Sequence, residues 1–235
     1  MATHLRLENP DILVTVHRSA RARRLTLTVP RTGAPPRLTA PPHAADPELR
    51  MFLMRQADWL RAALARAPAQ IRIAPGAQLP VAGRMLLIES RPGLRRAPRI
   101  ENETLAFYGR GAPGPRAAAW LKERARAAIT PIVADSVAEI GAKFGRISLR
   151  DQKGRWGSCT SRGDLSFSWR LAMAPPAVLD YVAVHEAAHL LEMNHGPRFW
   201  ALVTRLRPNW KRQRDWLRVE GPDLHRYRFD ANEEG

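Results

Sequence analysis

The chain has 235 residues, which is enough for one large domain, or for a small domain beside a catalytic one, with an ample hydrophobic core. It contains no run of about 18 apolar residues and no apolar segment near its first residues, so we expect neither a transmembrane helix nor a secretory signal. Cys159 is the single cysteine, which excludes internal disulfide bonds and favours a cytoplasmic protein without a membrane partner.

The formal net charge of +16 is high enough to suggest contact with nucleic acid. The basic residues are nearly all arginines, and they are spread over residues 18–24, 91–99 and 205–218 instead of forming one stripe. The sequence shows no aromatic stacking platform and no recognition helix. We therefore expect weak nucleic-acid binding at most, through phosphate groups, and no dedicated nucleic-acid module.

Residues 1–112 read as a small α+β unit without a chemical motif. Alternating apolar residues predict a series of short strands. They lie at residues 12–17, 23–29, 71–73, 85–89 and 105–108, with one more near Leu38. The charged residues 18–24 are predicted to form the hairpin loop between the first two strands. Apolar residues at helical spacing predict a helix over residues 47–65, in which Gln56 is the one polar interruption of the apolar face.

A Pro- and Gly-rich stretch at residues 111–114 marks the predicted boundary to a second domain, residues 113–220. The elements predicted after the boundary are a long helix that Pro131 bends or breaks, a strand at 146–150, a loop at 151–164 and a strand at 165–171. Residues 221–235 are predicted to be a polar, mobile tail. The whole pattern indicates an α+β protein.

The helix that begins at Pro176 carries an H-E-x-x-H motif, formed by His185, Glu186 and His189. Residues four apart lie on one face of a helix, so the two imidazoles can bind one metal ion, and this geometry suits Zn²⁺. Glu186 is displaced around the helix, where it can reach a metal-bound water as general base. His195 supplies a third ligand and leaves one position open, which is typical of catalytic zinc.

This helix is apolar almost all round, which predicts that it is buried. Burying two histidines and a glutamate is costly unless they are hydrogen-bonded or bound to a metal. The alternative to a metal site is therefore a set of histidines that bind carbonyl or carboxylate groups. Asn194 and Gly196 tolerate a left-handed backbone, and we expect them to turn the chain so that His195 returns to the site.

The surrounding residues resemble the YgjP-like metallopeptidase family, predicted bacterial zinc hydrolases similar in their core to SprT-like proteases and minigluzincins. The resemblance covers about residues 145–217 most strongly and rests on Arg155–Cys159, Leu165–Leu171, Ala174–Pro176, Asp180–Tyr181 and Asn194–Trp200. It implies a zincin-like domain in which a short antiparallel sheet packs on the H-E-x-x-H helix. It also implies that the three histidines hold zinc and that Glu186 is the catalytic base.

Other residues near the motif have possible roles. Glu192 lies on the same helical face as His189 and could replace His195 as third ligand or hydrogen-bond a ligand imidazole, although we favour His195. Tyr181, one turn before the motif, could polarise the scissile carbonyl or be a buried, satisfied tyrosine. Arg198 is a further candidate for transition-state stabilisation.

The sequence therefore predicts a zinc-dependent hydrolase, foremost a metallopeptidase that acts on peptides or proteins. Metal-activated water attacks the peptide bond, and Glu186 transfers its proton to the leaving amine. Strand 165–171 could bind an extended substrate along its edge. An alternative is a nucleic-acid-associated SprT-like protease, or a DNA-binding protein whose metal site is regulated or structural. A third is a hydrolase of non-peptide amides.

Overall fold

The computed structural model describes residues 3–8, 10–30 and 34–230, and the chain divides into two compact units, Met1–Gln70 and Ile71–Gly235. Both units combine helices with strands, which confirms the α+β fold class. The units divide well before the boundary near residue 112 that the sequence suggests. The reason is that residues between 71 and 112 share one hydrophobic core with the long helix that follows them.

The first unit is a four-stranded sheet with two helices. Its elements are β1 (Thr3–Leu7), β2 (Ile12–Arg18), β3 (Thr26–Thr28), β4 (Arg37–Ala40), α1 (Asp46–Arg55) and α2 (Ala57–Arg66). The strand order is β1-β2-β4-β3, with β2 parallel to β4 and the other two pairs antiparallel. Alternate residues of β2 and leucines of α1 and α2 form the core, as the predicted strand and helix patterns require.

Two predictions for this unit are corrected. Residues 18–24 do not form a hairpin loop, because β2 and β3 both pair with β4, which lies between them. The helix predicted over residues 47–65 is two helices that meet at Gln56, the residue that interrupts the apolar face. Periodicity therefore identifies the strands of this unit and leaves their pairing open, since partners are chosen by contacts between distant segments.

The second unit contains the candidate site. Its strands are β5 (Ile71–Arg72), β6 (Gln78–Val81), β7 (Arg84–Arg91), β8 (Arg99–Glu101), β9 (Thr104–Tyr108), β10 (Ile147–Arg150), β11 (Gly157–Cys159), β12 (Leu165–Ser168) and β13 (Tyr227–Arg228). Its helices are α3 (Pro113–Ile140), α4 (Pro176–Ala188), α5 (Pro197–Leu206) and α6 (Trp210–Val219), with 3₁₀ helices at Trp169–Met173 and Gly221–Arg226.

Three sheets surround the helices of this unit. One has the order β6-β7-β9-β8, a second is the pair β5 and β13, and the third has the order β10-β12-β11. The third sheet is mixed, since β10 runs parallel and β11 antiparallel to β12, whereas the resemblance implies an antiparallel sheet. Strand β12 ends at Ser168 and continues as a 3₁₀ helix, so the strand predicted over residues 165–171 is shorter than expected.

Helix α3 is continuous through Pro131, so of the two predicted outcomes, a bend or a break, the break does not occur. Every fourth residue along one face is buried, and these residues are Leu121, Ala125, Ile129, Val133 and Val137. Pro131 lies on the exposed side, where the carbonyl that loses its hydrogen-bond donor can be solvated. Packing of the buried stripe therefore holds the helix together across the proline.

Residues 221–230, predicted to begin a mobile tail, are packed within the second unit. Arg170 is 6% exposed, and its Nη1 donates hydrogen bonds to the carbonyl oxygens of Leu224 (2.8 Å) and Tyr227 (3.0 Å). Its Nε and Nη2 donate to Asp151, which neutralises the buried guanidinium. Residues 231–235 of the predicted tail lie outside the described residues.

Among the helices that the structure describes, none is both long enough and apolar enough to cross a membrane.

Candidate metal centre

Helix α4 presents the H-E-x-x-H motif from the interior of the second unit. It begins with Pro176 at its first position, and it packs against α3, α5, α6 and β11. Its valines, alanines and leucines are buried on nearly all sides, as the apolar pattern predicts. The helix is thus held rigidly, and the motif side chains at its C-terminal end project from a fixed backbone.

The chain leaves α4 after Ala188, and His189 occupies the C-cap position in a right-handed conformation. The predicted left-handed turn is wrong, since neither Asn194 nor Gly196 has a positive φ, and Gly196 is extended with φ −81° and ψ −176°. Main-chain hydrogen bonds make the turn instead, including Glu192 N to Ala188 O at 3.1 Å and Gly196 N to Asn194 O at 2.7 Å.

The three histidines converge on one point. His195 Nε2 lies 3.0 Å from His185 Nε2 and 3.1 Å from His189 Nε2, and the candidate ligand atoms all lie within 4.8 Å of one another. Two nitrogen ligands about 2.0–2.1 Å from a tetrahedral zinc ion are separated by roughly 3.3 Å. The observed separations are close to that value, so the donor atoms and their spacing fit a metal ion.

Phe199 of α5 is fully buried and packs against all three imidazoles from one side. Its ring centroid is 4.9 Å from that of His185, 4.5 Å from that of His189 and 4.8 Å from that of His195. Trp200 stacks on the exposed His195 at 5.7 Å and on Trp210 at 4.3 Å. Helix α5 therefore supplies an aromatic floor that fixes the orientation of all three rings.

The Nδ1 atoms of the two helical histidines face away from the shared point. His189 Nδ1 lies 3.0 Å from the main-chain oxygen of Glu192, which can only accept, so this nitrogen carries the proton. The lone pair of His189 is therefore on Nε2, where a metal would bind. His185 Nδ1 lies 3.4 Å from the Tyr181 hydroxyl, whose oxygen can accept a hydrogen bond from this nitrogen.

Burial keeps these two imidazoles neutral. It lowers the pKa of His185 to about 3, with smaller effects from the positive forms of His189 and His195 and from Arg214. Burial also lowers the pKa of His189, against the opposing effect of the Glu192 carbonyl. Neutral imidazoles have a free lone pair near neutral pH, which metal binding requires.

Glu186, which follows His185 in the helix, is buried, with 5% of its surface exposed. Burial raises its pKa to about 8, and the positive charge of Arg155 opposes this rise. Gly157 of β11 lies directly against this side chain: a Cβ at residue 157 would be 2.5 Å from Glu186 Cγ and 2.7 Å from its Cδ. The carboxyl group is therefore held between α4 and a strand that must lack a side chain at this position.

Strand β11 is the edge of the sheet that faces the motif. The sequence assigns an edge role to strand 165–171, but β12 lies in the middle, between β10 and β11. Residues 151–164, predicted to be loop, contain β11 at Gly157–Cys159. Main-chain groups available for pairing with an extended peptide therefore belong to β11 and not to β12.

The remaining predicted residues occupy different positions. Tyr181 is 5% exposed, burial raises its pKa to about 12, and its ring stacks on Trp210. Glu192 contacts His189 through its main-chain oxygen, and its carboxylate is not part of the three-histidine cluster. Arg198 is exposed in the first turn of α5. Cys159 is half-buried next to this region and donates to the carbonyl oxygen of Thr160.

In the sequence, Gly157 and Phe199 stand out only as members of the runs Arg155–Cys159 and Asn194–Trp200 that carry the family resemblance. Gly157 could have been noticed, because a glycine inside a strand often marks a close backbone approach. The contact of Phe199 with three separate histidines has no sequence signal, since it depends on where α5 packs.

A family model described as YgjP-like, metallopeptidase domain, matches residues 23–220. The matched range contains the H-E-x-x-H motif, His195, Gly157 and Phe199. No curated protein and no solved structure matches the chain. The match spans well over half of the sequence, and the three-histidine cluster fits the metal site of a metal-dependent peptidase. The chain therefore belongs to the YgjP-like metallopeptidase family.

Proposed function

We propose that the protein is a zinc-dependent peptidase in which His185, His189 and His195 hold the ion and Glu186 moves the proton. The observation that carries the proposal is the convergence of three Nε2 atoms at the end of a helix that also carries the buried Glu186, next to His185 in the chain. Three nitrogen ligands with no fourth side chain are typical of catalytic rather than structural zinc. When bound, the ion supplies a Lewis acid that polarises carbonyl groups and makes water more acidic.

The histidines are prepared for this role by their neighbours. The Glu192 carbonyl fixes the tautomer of His189, the Tyr181 hydroxyl faces Nδ1 of His185, and Phe199 packs against all three rings. Because the rings are held before a metal arrives, little conformational entropy is lost when it binds.

Glu186 is proposed to accept a proton from the attacking water and to donate it to the nitrogen of the leaving amine. A general acid–base group works best when its pKa lies near the working pH, because it must both take and release the proton. Burial supplies the upward shift in pKa, while the positive charge of Arg155 and of a bound ion favours the carboxylate. Water exclusion around this buried group also strengthens its interactions.

Peptides and proteins are the proposed substrates because β11 offers an edge beside Glu186. An extended substrate can add to such an edge through main-chain hydrogen bonds, which accept many sequences. Gly157 brings the backbone of this edge close to the carboxyl group. A substrate strand on β11 would thus place a peptide bond near the residues that perform the reaction.

The test compares Glu186→Gln with Glu192→Gln, which removes a nearby carboxylate that lies outside the cluster. Purified proteins are analysed for zinc content by mass spectrometry and for cleavage of a peptide library. We expect Glu186→Gln to keep its zinc and to lose hydrolysis by about 10²–10⁴-fold, while Glu192→Gln retains both. Full activity in Glu186→Gln would refute the role of this residue, and wild-type protein without zinc would refute the metal site.

A further inference from the structure

A basic groove of about 740 Å³ lies in the second unit between the segment 95–98 and the N-terminal half of α3. Its lining includes Arg95, Arg96, Arg116 and Trp120, with Glu123 as its one acidic residue. None of these residues belongs to the metal centre. The groove therefore needs an explanation of its own, which begins with how its arginines are held.

Arg116 is fixed to the wall of the groove. Its Nη2 donates to the carbonyl oxygens of Arg96 (3.0 Å) and Tyr108 (2.9 Å), and its guanidinium carbon lies 5.3 Å from the ring centre of Phe107. Its Nη1 is buried and has no hydrogen-bond partner among the described residues. An unsatisfied nitrogen of a charged group is costly to bury, so Arg116 has a hydrogen-bond donor that the described residues leave unused.

Arg95 and Arg96 are exposed, and the backbone of Arg95 packs closely against Gly109. A Cβ on Gly109 would lie 2.9 Å from the main-chain nitrogen of Arg95, so the absence of a side chain there allows the two segments to meet. The guanidinium of Arg96 stacks 3.5 Å over the ring of Tyr108. Both arginines therefore line the groove, and the side chain of Arg96 is positioned there by its stacking on Tyr108.

Within the described residues, these arginines have weaker contact with acidic groups than a neighbouring arginine has, although Arg96 contributes to lowering the pKa of Glu101. Arg91, nearby on β7, pairs with both Glu89 and Glu101. By contrast, no ion pair in the described part of the chain involves Arg95, Arg96 or Arg116. Burial and the proximity of Arg95 both lower the pKa of Arg116, which shows that like charges are gathered here.

We propose that this groove binds a phosphate group of a nucleotide or of a nucleic-acid strand. Guanidinium groups bind phosphate oxygens with paired, charge-assisted hydrogen bonds, and several of them match a phosphate better than the single charge of a carboxylate. Trp120 adds an aromatic surface to the same groove, with the guanidinium of Arg124 4.8 Å from its ring centre. An aromatic side chain next to arginines suits a base attached to the phosphate.

This site is independent of the peptidase proposal. The residues that line it lie in the segment before β8 and in the first part of α3, and none belongs to the three-histidine cluster. A Glu186→Gln protein is therefore expected to bind phosphate ligands as the wild type does. The net charge of +16 attracts polyanions to the whole surface, so the experiment must separate the groove from general attraction.

The test measures fluorescence anisotropy of a labelled single-stranded oligothymidylate. It compares wild type with the double variant Arg95→Glu/Arg96→Glu and with the matched control Arg205→Glu/Arg212→Glu, whose residues are also exposed. Both double variants replace two arginines by glutamates, so they lower the net charge by the same amount. We expect at least about tenfold weaker binding in the groove variant, less than about threefold in the control, and a salt slope reduced by about 1 only in the groove variant.

Competitors then identify the ligand chemistry. Displacement of the oligothymidylate by inorganic phosphate and by adenosine monophosphate supports a single nucleotide, and displacement only by unlabelled oligonucleotide supports a strand. Equal weakening in the two double variants would overturn the proposal, because binding would then follow net charge alone. Displacement by a glutamate oligomer as effective as that by an oligonucleotide would also overturn it, because carboxylates would then serve equally well.

Discussion

Gly157 lies directly against the side chain of Glu186, and this contact joins the edge strand β11 to the H-E-x-x-H helix. Gly157 has no left-handed φ, so its backbone would accept any residue. What the position requires is the missing Cβ, because that atom would occupy the space of the Glu186 carboxyl group. The proposed general base is therefore positioned by the absence of a side chain on a neighbouring strand.

Gly157→Ala is expected to displace Glu186 while leaving the histidines in place. A shift of about 1 Å in a reacting group can lower turnover on the order of 100-fold. We expect this loss in kcat, with zinc content unchanged. Gly154→Ala is the matched control, since a Cβ there meets no atom within 4 Å, and it should retain wild-type kcat. Equal kcat in the two variants would show that the contact does not position the base.

His195→Ala and Glu192→Ala separate the two candidates for the third ligand. His195 contributes its side chain to the cluster, whereas Glu192 contacts His189 through a main-chain oxygen that every residue has. We expect His195→Ala to lower the zinc content of the purified protein and Glu192→Ala to leave it near one ion per chain. The reverse result, measured by metal analysis after dialysis, would assign the third position to Glu192.

Phe199→Leu tests the aromatic floor beneath the three imidazoles. Phe107→Leu is its control, because Phe107 is equally buried but lies on β9, among residues that do not contact the histidines. Both substitutions should lower the free energy of unfolding by about 1–3 kcal/mol. Only Phe199→Leu should also weaken zinc affinity, by about tenfold, since groups that orient ligand rings tune metal binding. Competition with a chromophoric chelator measures this affinity, and equal values would contradict the prediction.

His225 is expected to make stability depend on pH. It is 8% exposed and packs 5.0 Å from the ring of Trp156, and burial, with a smaller effect of Arg170, lowers its pKa to about 4. The negative charge of Asp151 raises the pKa of His225, whereas the positive charge of Lys153 lowers it, as that of Arg170 does. Because the folded-state pKa lies below the ordinary value of about 6.5, the unfolded chain binds this proton first as pH falls.

The contribution of the buried, neutral His225 to the free energy of unfolding is therefore fully present above about pH 6.5, and it is lost as the pH falls towards about 4. The loss amounts to at most about 3 kcal/mol. His225→Phe keeps a ring against Trp156 but cannot be protonated. Urea unfolding at a series of pH values should give a shallower decline for this variant over that window. If the free energies of unfolding of the two proteins declined in parallel with pH, His225 would be protonated equally in the folded and unfolded states.

The candidate metal site could be predicted from the sequence because two of its histidines lie only four residues apart in one helix. Residues four apart on a helix must share a face, so His185 and His189 define the site before any tertiary contact is known. His195 follows the motif closely in the chain, and the family resemblance supports it as third ligand and also includes the R-W-G-S-C run. The turn that returns His195 was predicted from the wrong residues, because several main-chain hydrogen-bond patterns can reverse a chain.

Strands were also recognised from alternation, but their partners were not. Strands β2 and β3 flank β4 instead of forming a hairpin, and β12 is central instead of lying at an edge. The last described residues illustrate the same limit, since Leu224, Tyr227 and Phe229 are scattered among polar residues and yet are buried. The hydropathy of a terminal segment does not show whether another part of the chain, such as the region around Arg170, will bury it.

By itself, the sequence determined the α+β class, the buried helix, the pair of helical histidines and the acid between them, because periodicity and short-range spacing fix these features. Only the tertiary structure decided that Gly157 makes room for Glu186, that Phe199 supports three rings and that β11 is the edge beside them. Those contacts join residues far apart in the chain, and close packing selects such partners by shape and volume, which sequence spacing does not encode.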